Sequence, residues 1–320
     1  MRRRREASCH SLRVIPPEKL LLLDTPSLYF RAFFGVPDTI RAPDGSPVNA
    51  VRGLLDFIAR LVTDRSPTHL VAAMDADWRP AFRVAAIPSY KAHRVASGHE
   101  EQVPDPLVPQ VAVIEDVLEA LGIPVIGVAG FEADDVIGTI ATASPRPVDV
   151  VTGDRDLFQL VDDDRGVRVL YIARGVGRHE IIDEAAVTAK YAIPGRAYAD
   201  FATLRGDPSD GLPGVAGIGD KTAAALVTRF GSLDGILAAL DAGDTAMPPG
   251  ARAKLAAARD YLTVAPVVVA VAKDAPVPAY DGQVPSRPHD PERVLELSER
   301  WGLDSSLNRV LTAFGTVHQS

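Results

Sequence analysis

Short apolar runs rich in Val, Ile and Leu recur through the first part of the chain, at residues 20–23, 69–74, 125–128, 148–152 and 167–172. Runs of that length without alternating polar positions predict strands buried on both faces of a mostly parallel sheet. Between them, residues 48–62 and 107–121 carry apolar side chains three and four apart, the spacing of amphipathic helices. The alternation predicts an α/β fold with a mostly parallel central sheet flanked by helices. Beyond about residue 185 the strand pattern fades, and glycine-punctuated helical stretches at 211–230 and 251–262 predict a second, helical subdomain. A Pro-rich passage at 274–291 reads as an extended connection, and amphipathic helices at 292–301 and 305–314 close the chain.

With 320 residues, 47% of them hydrophobic, the chain can bury a substantial core. No window approaches the roughly 18 consecutive apolar residues of a membrane helix. The Arg-rich start is followed by no apolar stretch of signal-peptide length, so residues 1–17 are expected to be a disordered leader. Cys9 is the only cysteine, which excludes an internal disulfide and fits a reducing cytosol. A net charge of -8 argues, as a sum, against a partner made of phosphates. The positions of the acids change that picture.

Asp24 ends the first apolar run, Asp75 the second, and Asp154 and Asp156 follow the Val-Val-Thr of the fourth. In an open α/β sheet the carboxyl ends of the strands form the ligand crevice. One strand-end Asp reads most simply as a helix cap or turn residue, but three strands ending alike strain that reading. Glu132, Asp134 and Asp135 lie at what reads as a helix start, more acids than capping requires. Asp207 and Asp210 sit in a Gly-Asp-Pro-Ser-Asp-Gly turn. Were these acids to converge, like charges about 4 Å apart would repel by roughly 4 kcal/mol per pair at an effective dielectric near 20. Cations would relieve that repulsion, and all-oxygen ligands favour Mg²⁺ or Mn²⁺ over zinc. The histidines are scattered without metal-ligand spacing, and His69 and His179 read as core-edge residues.

Three segments carry a family resemblance: Phe-Glu-Ala-Asp-Asp at 131–135, Thr-Gly-Asp-Arg-Asp-Leu at 152–157, and the stretch from Gly-Asp-Pro-Ser-Asp-Gly to Gly-Ile-Gly-Asp-Lys-Thr-Ala at 206–223. In this order the chain, over about residues 19–315, resembles the bacterial 5′-3′ exonuclease and flap endonuclease family, which includes the N-terminal nuclease domain of DNA polymerase I. The resemblance implies a PIN-like 5′ nuclease fold and a magnesium- or manganese-dependent phosphodiester hydrolase of DNA replication and repair. It implies one metal near Asp75, Glu132 and Asp134, with Asp24 and Asp135 supporting it, and a second near Asp154, Asp156, Asp207 and Asp210. Pro208 and Gly211 depart from the residues more usual in the family beside the last two acids.

The same resemblance extends to Pro-Ser-Tyr-Lys-Ala-His-Arg at 88–94, which looks like the base of a helical arch at about 88–110 through which a single 5′ strand passes. Lys91 and Arg94 are the expected catalytic cations, offsetting charge on the scissile phosphate. Tyr90 is expected to stack on a base and Arg83 to contact DNA. The Gly217 to Lys221 stretch approximates a P-loop, but Asp220 intervenes and no strand leads into it, which excludes ATP binding. It reads as a helix-hairpin-helix in which Gly217, Gly219, Lys221 and Thr222 hold a duplex phosphate, with K⁺ assisting as in the family.

The expected division is thus a nuclease core at 18–185, a helix-hairpin-helix DNA-binding subdomain at 186–265 and a return segment packing on the core at 266–320. The expected partner is DNA with a 5′ flap, a nick or a free 5′ end, with no membrane. No polymerase domain follows in this sequence, so a polymerase or ligase would act in trans. A monomer in the cytoplasm, associated with the nucleoid, is expected. The alternative is a catalytically weak DNA-junction binder on the same fold, against which the full carboxylate set counts. A haloacid-dehalogenase-like phosphatase would want an acid where Pro26 stands, and toxin-type ribonucleases of related fold are shorter and lack the hairpin.

Overall fold

A computed structural model describes residues 18–98 and 100–318. The expected leader at 1–17 lies outside the described residues. In chain order the strands are β1 (Leu20–Asp24), β2 (His69–Ala73), β3 (Val95–Ser97), β4 (Glu100–Glu101), β5 (Val125–Ile126), β6 (Val148–Thr152), β7 (Val167–Tyr171) and β8 (Glu180–Ile182). Six of them form one sheet in the order β5-β2-β1-β6-β7-β8. All its neighbours run parallel except β8, which pairs antiparallel with β7. The five apolar runs supply β1, β2, β5, β6 and β7; β8 is a short edge strand that its three residues did not announce.

The helices are α1 (Thr25–Gly35), α2 (Asn49–Arg65), α3 (Ala81–Ala86), α4 (Val108–Leu121), α5 (Ala133–Ala143), α6 (Glu184–Tyr191), α7 (Tyr198–Arg205), α8 (Asp220–Phe230), α9 (Leu233–Asp241), α10 (Pro249–Ala257), α11 (Arg259–Val269), α12 (Pro291–Trp301) and α13 (Asp304–Val317). Among the described residues no single helix is long and apolar enough to cross a membrane.

The four leucines of β1 show how the sheet divides the core. Successive side chains of a strand face opposite ways, so Leu21 and Leu23 join the core of α2, α4 and α13, while Leu20 and Leu22 join that of α5, α7 and α8. The last two helices return to the core, with Leu307, Val310 and Phe314 of α13 buried among Leu54, Ile58 and Leu61 of α2. The helical stretch read over 211–230 is helical only from Asp220, and the one over 251–262 is broken at Ala258 into α10 and α11.

The arch segment is not a continuous helix. Ala92–Arg94 forms one 3₁₀ turn, and β3 pairs antiparallel with β4. Pro88, Pro104 and Pro106 interrupt helix formation on either side, and Gly98 takes a left-handed φ of 55° at the hairpin turn.

Candidate active site

Parallel register levels the strand ends. Leu20 of β1 pairs with His69 of β2 and with Val148 of β6, so the three strands finish side by side. Asp24 is therefore the last residue of β1, with Asp75 just past β2 and Asp154 just past β6. Asp24 also caps α1, accepting from the Ser27 amide at 3.1 Å, while its other oxygen accepts from the Thr152 hydroxyl at 2.6 Å. The cap reading and the crevice reading are both met by one side chain. Asp75 accepts from the Ala133 amide at 2.7 Å, which ties the end of β2 to the start of α5.

Asp24, Asp75, Glu132, Asp134, Asp154 and Asp207 line a single pocket of about 420 Å³, and Lys91, Arg94 and Arg155 share its wall. Burial pushes the Asp24 carboxyl up to about 7 against the hydrogen bonds from Thr152 and Ser27, and the charges of Asp75 and Asp154 push the same way. Burial also raises Asp134 well above the usual carboxylate range, with Asp24, Asp154 and Glu132 adding to it. Asp156 is raised well above that range by burial and then by Asp154, Asp210 and Asp207. Acids from distant segments thus act on one another through space.

The cations form a second layer. Arg83 donates to Glu132 Oε2 at 2.7 Å and grips both oxygens of Asp135, at 2.7 and 2.6 Å. The Tyr90 hydroxyl donates to Glu132 at 2.8 Å, and Lys91 pairs with the same carboxylate. Burial still leaves Glu132 at about 7, with Lys91 and Arg83 opposing the rise. Arg94 pairs with Asp210 at 2.8 Å, and the Lys91 amide donates to the Asp210 carbonyl at 2.9 Å, which docks the 207–212 turn against the Lys91 segment.

The donor set is all oxygen, which fits a hard divalent cation. Among the described residues, however, no three acids converge as a ready metal site. Two of the acids are already engaged: Glu132 by Arg83, Tyr90 and Lys91, and Asp24 by Ser27 and Thr152.

Residues 19–192 match the family described as 5′-3′ exonuclease, N-terminal resolvase-like domain, and residues 193–292 match the 5′-3′ exonuclease, C-terminal SAM fold. The chain belongs to the 5′-3′ exonuclease family. Membership makes it an enzyme, a 5′ nuclease. A Streptomyces coelicolor protein named 5′-3′ exonuclease is 61% identical over 297 residues, covering 91% of this chain and 99% of that one. A Mycobacterium tuberculosis protein of the same name is 52% identical over 312 residues, covering 93% and 98%. Among solved structures, the T5 D15 protein co-crystallised with metal ions aligns with a TM-score of 0.62 at 16% identity, covering 94% of this chain and 99% of that one. That likeness shows the shared fold.

Three expected site residues of this exonuclease lie behind the pocket and not on its lining. Asp135, expected to support a metal, does not line the pocket: it is wholly buried, both oxygens are gripped by Arg83, and they also accept from the amides of Glu132 and Ala272 at 3.1 and 2.8 Å. Arg83, expected to touch DNA, is 2% exposed and spent on these acids. Tyr90 is buried at 3%, so its ring offers no face to a base. Of the other expected ligands, Asp156 and Asp210 do not line the pocket but lie within electrostatic reach of the acids that do.

Gly217, Gly219, Lys221 and Thr222 are elsewhere, at the start of α8. Lys221 and Thr222 line a separate groove of about 640 Å³ between α6 and α8. Gly217 has a left-handed φ of 76°, and its carbonyl accepts from Lys254 at 2.7 Å. Sequence reasoning missed Thr152, which fixes Asp24, and Arg155 and Tyr171 in the pocket wall. Arg155 stood in plain view between two acids already singled out.

Proposed function

We propose that this family member cuts DNA near 5′ flaps, nicks or free 5′ ends, using two or more Mg²⁺ or Mn²⁺ ions held by the pocket's carboxylates. The observation that carries this reading is the meeting of acids from β1, β2, β6, α5 and the 207–212 turn in one pocket that also holds Lys91 and Arg94. Asp75, Glu132 and Asp134, steadied by Asp24, would hold one ion; Asp154, Asp156, Asp207 and Asp210 would hold the other. When bound, such ions supply activation of water and neutralise charge on the scissile phosphate and the leaving oxygen.

The chain's own residues would do the rest. Burial works to lower the Lys91 pKa, but Glu132, Tyr90 and Asp210 keep it well above the ordinary lysine value, so the side chain stays a cation. Lys91 and Arg94 can exchange their carboxylate partners for phosphate oxygens, the preorganised charge that phosphoryl chemistry requires. The start of α8, with Gly217, Gly219, Lys221 and Thr222, would hold the duplex by a backbone phosphate, with K⁺ assisting there. On this reading residues 18–185 carry the chemistry, 186–265 bind duplex and 266–320 buttress the core. A monomer near the nucleoid, working with a polymerase or ligase in trans, completes the proposal.

The test is to incubate the protein with end-labelled 5′-flap, nicked and single-stranded DNAs, in Mg²⁺ or in EDTA. The expected result is metal-dependent release of the 5′ portion, nearly abolished by Asp154→Asn with Asp156→Asn while DNA binding persists. Undiminished cutting by the double variant, or in EDTA, would sink the reading.

A further inference from the structure

The three cations of the acidic pocket differ in what balances them. Lys91 is paired with Glu132 and Arg94 with Asp210, whereas Arg155 has no ion pair among the described residues. Its surroundings are phenolic. It lines the pocket beside Tyr171, and the hydroxyls of Tyr198, Tyr191 and Tyr171 lie within electrostatic reach of its guanidinium, ahead of Asp207.

Lys190, next to the last residue of α6, lies against the same tyrosines and, unlike Arg155, sits over their ring faces. Its ammonium lies 5.5 Å from the ring centre of Tyr191, 5.7 Å from Tyr171 and 6.0 Å from Phe158. It is exposed, has no carboxylate partner among the described residues, and lines the α6–α8 groove with Lys221 and Arg229. A cation seated on ring faces is oriented without being neutralised. A carboxylate partner, by contrast, must be displaced before the cation can serve a phosphate.

We propose that Arg155 and Lys190 bind backbone phosphates of the cut strand on its duplex side, carrying that strand from the acidic pocket to the groove beside α8. The inference rests on the nuclease reading above. The duplex side follows from placement: Lys91, Arg94 and the β3–β4 hairpin border the pocket from the arch segment, while the aromatic cluster leads through Tyr191 to α8.

The test measures affinity for a 5′-flap duplex in EDTA across a range of salt concentrations. Each cation withdrawn from a phosphate should flatten the log–log salt slope by about one, so Arg155→Gln and Lys190→Gln should each show that change and the double variant about two. Arg155→Lys and Lys190→Arg should stay near the parent slope. On the parent protein, neutral methylphosphonate links placed just to the duplex side of the cut should flatten the slope likewise and erase the difference between parent and variants. The parent reading stands whether or not the variants fold. Unchanged slopes, or a difference erased instead by neutral links on the flap side, would overturn the proposal. A parent that cuts the flap with these slopes unaltered leaves the nuclease reading intact and removes this inference alone. A parent that neither binds nor cuts removes both.

Discussion

Arg83 of α3 and Asp135 of α5 meet in a two-pronged ion pair, at 2.7 and 2.6 Å, with both side chains sealed from water. The same guanidinium reaches Glu132 at 2.7 Å, so one buried arginine fixes the back of the acidic pocket while Lys91 engages Glu132 from its front. Arg83→Met would strand two buried acids, and breaking such a pair by removing one partner costs about 3–5 kcal/mol. Urea unfolding should show a loss of that order. A loss under about 1 kcal/mol, within the range of an exposed pair, would mean that the network does not hold the fold.

Lys91→Ala should slow cleavage far more than it weakens binding. Removing a preorganised charge from a transition state costs about a hundredfold or more in kcat. Single-turnover cleavage and equilibrium binding on the same 5′-flap DNA check this, and equal losses in the two would remove the catalytic role proposed for Lys91.

Asp149 in β6 makes a separate prediction about acid stability. Its carboxylate, 1% exposed, accepts from Arg168 at 2.7 Å and Arg65 at 2.9 Å, with Lys19 at 3.6 Å. Burial works to raise its pKa, but the hydrogen bonds from Arg168 and Arg65, and the charges of Arg65 and Lys19, outweigh it and hold the group below its ordinary value. A folded-state pKa below the unfolded one contributes stability that is complete above about pH 4 and is lost as pH falls through the folded value. The parent's urea midpoint should therefore fall more steeply below pH 4 than that of Asp149→Asn. At neutral pH the variant should cost about 2 kcal/mol, less than a fully buried pair because its three cations can still reach water.

Gly211 tests how the 207–212 turn is docked. It has a left-handed φ of 74°, and a Cβ there would overlap the Ser89 carbonyl oxygen. The Ser89 hydroxyl donates to the Gly211 carbonyl at 2.9 Å. Gly211→Ala should push this turn away from Lys91, lowering cleavage at least tenfold and stability by about 1–3 kcal/mol. Unaltered cleavage would show that the turn's seat on Ser89 is dispensable.

How much of this was legible beforehand depended on the range of the interactions involved. Strand patterning is local, so β1, β2, β5, β6 and β7 could be read from apolar runs, and the positions of Asp24, Asp75 and Asp154 followed from where those runs stop. The α1 helix was not read, although Asp24-Thr25-Pro26 carries both a cap and an early proline. β8 and the β3–β4 hairpin are too short for a periodic signal, and their pairing depends on what lies beside them.

The α/β alternation, the acids at the strand ends and the family motifs could be read residue by residue, because each is written in neighbouring positions. Which charges face the pocket and which are consumed behind it was settled by the folded arrangement alone. Glu132 and Asp135 are three apart on one helix start, yet Glu132 lines the pocket and Asp135 does not: Arg83 from a distant helix takes both oxygens of Asp135 behind the pocket, but only one of Glu132, whose other oxygen meets Lys91 in the pocket wall. Burial, partner and charge balance are properties of side chains meeting across the fold, and no local pattern encodes them.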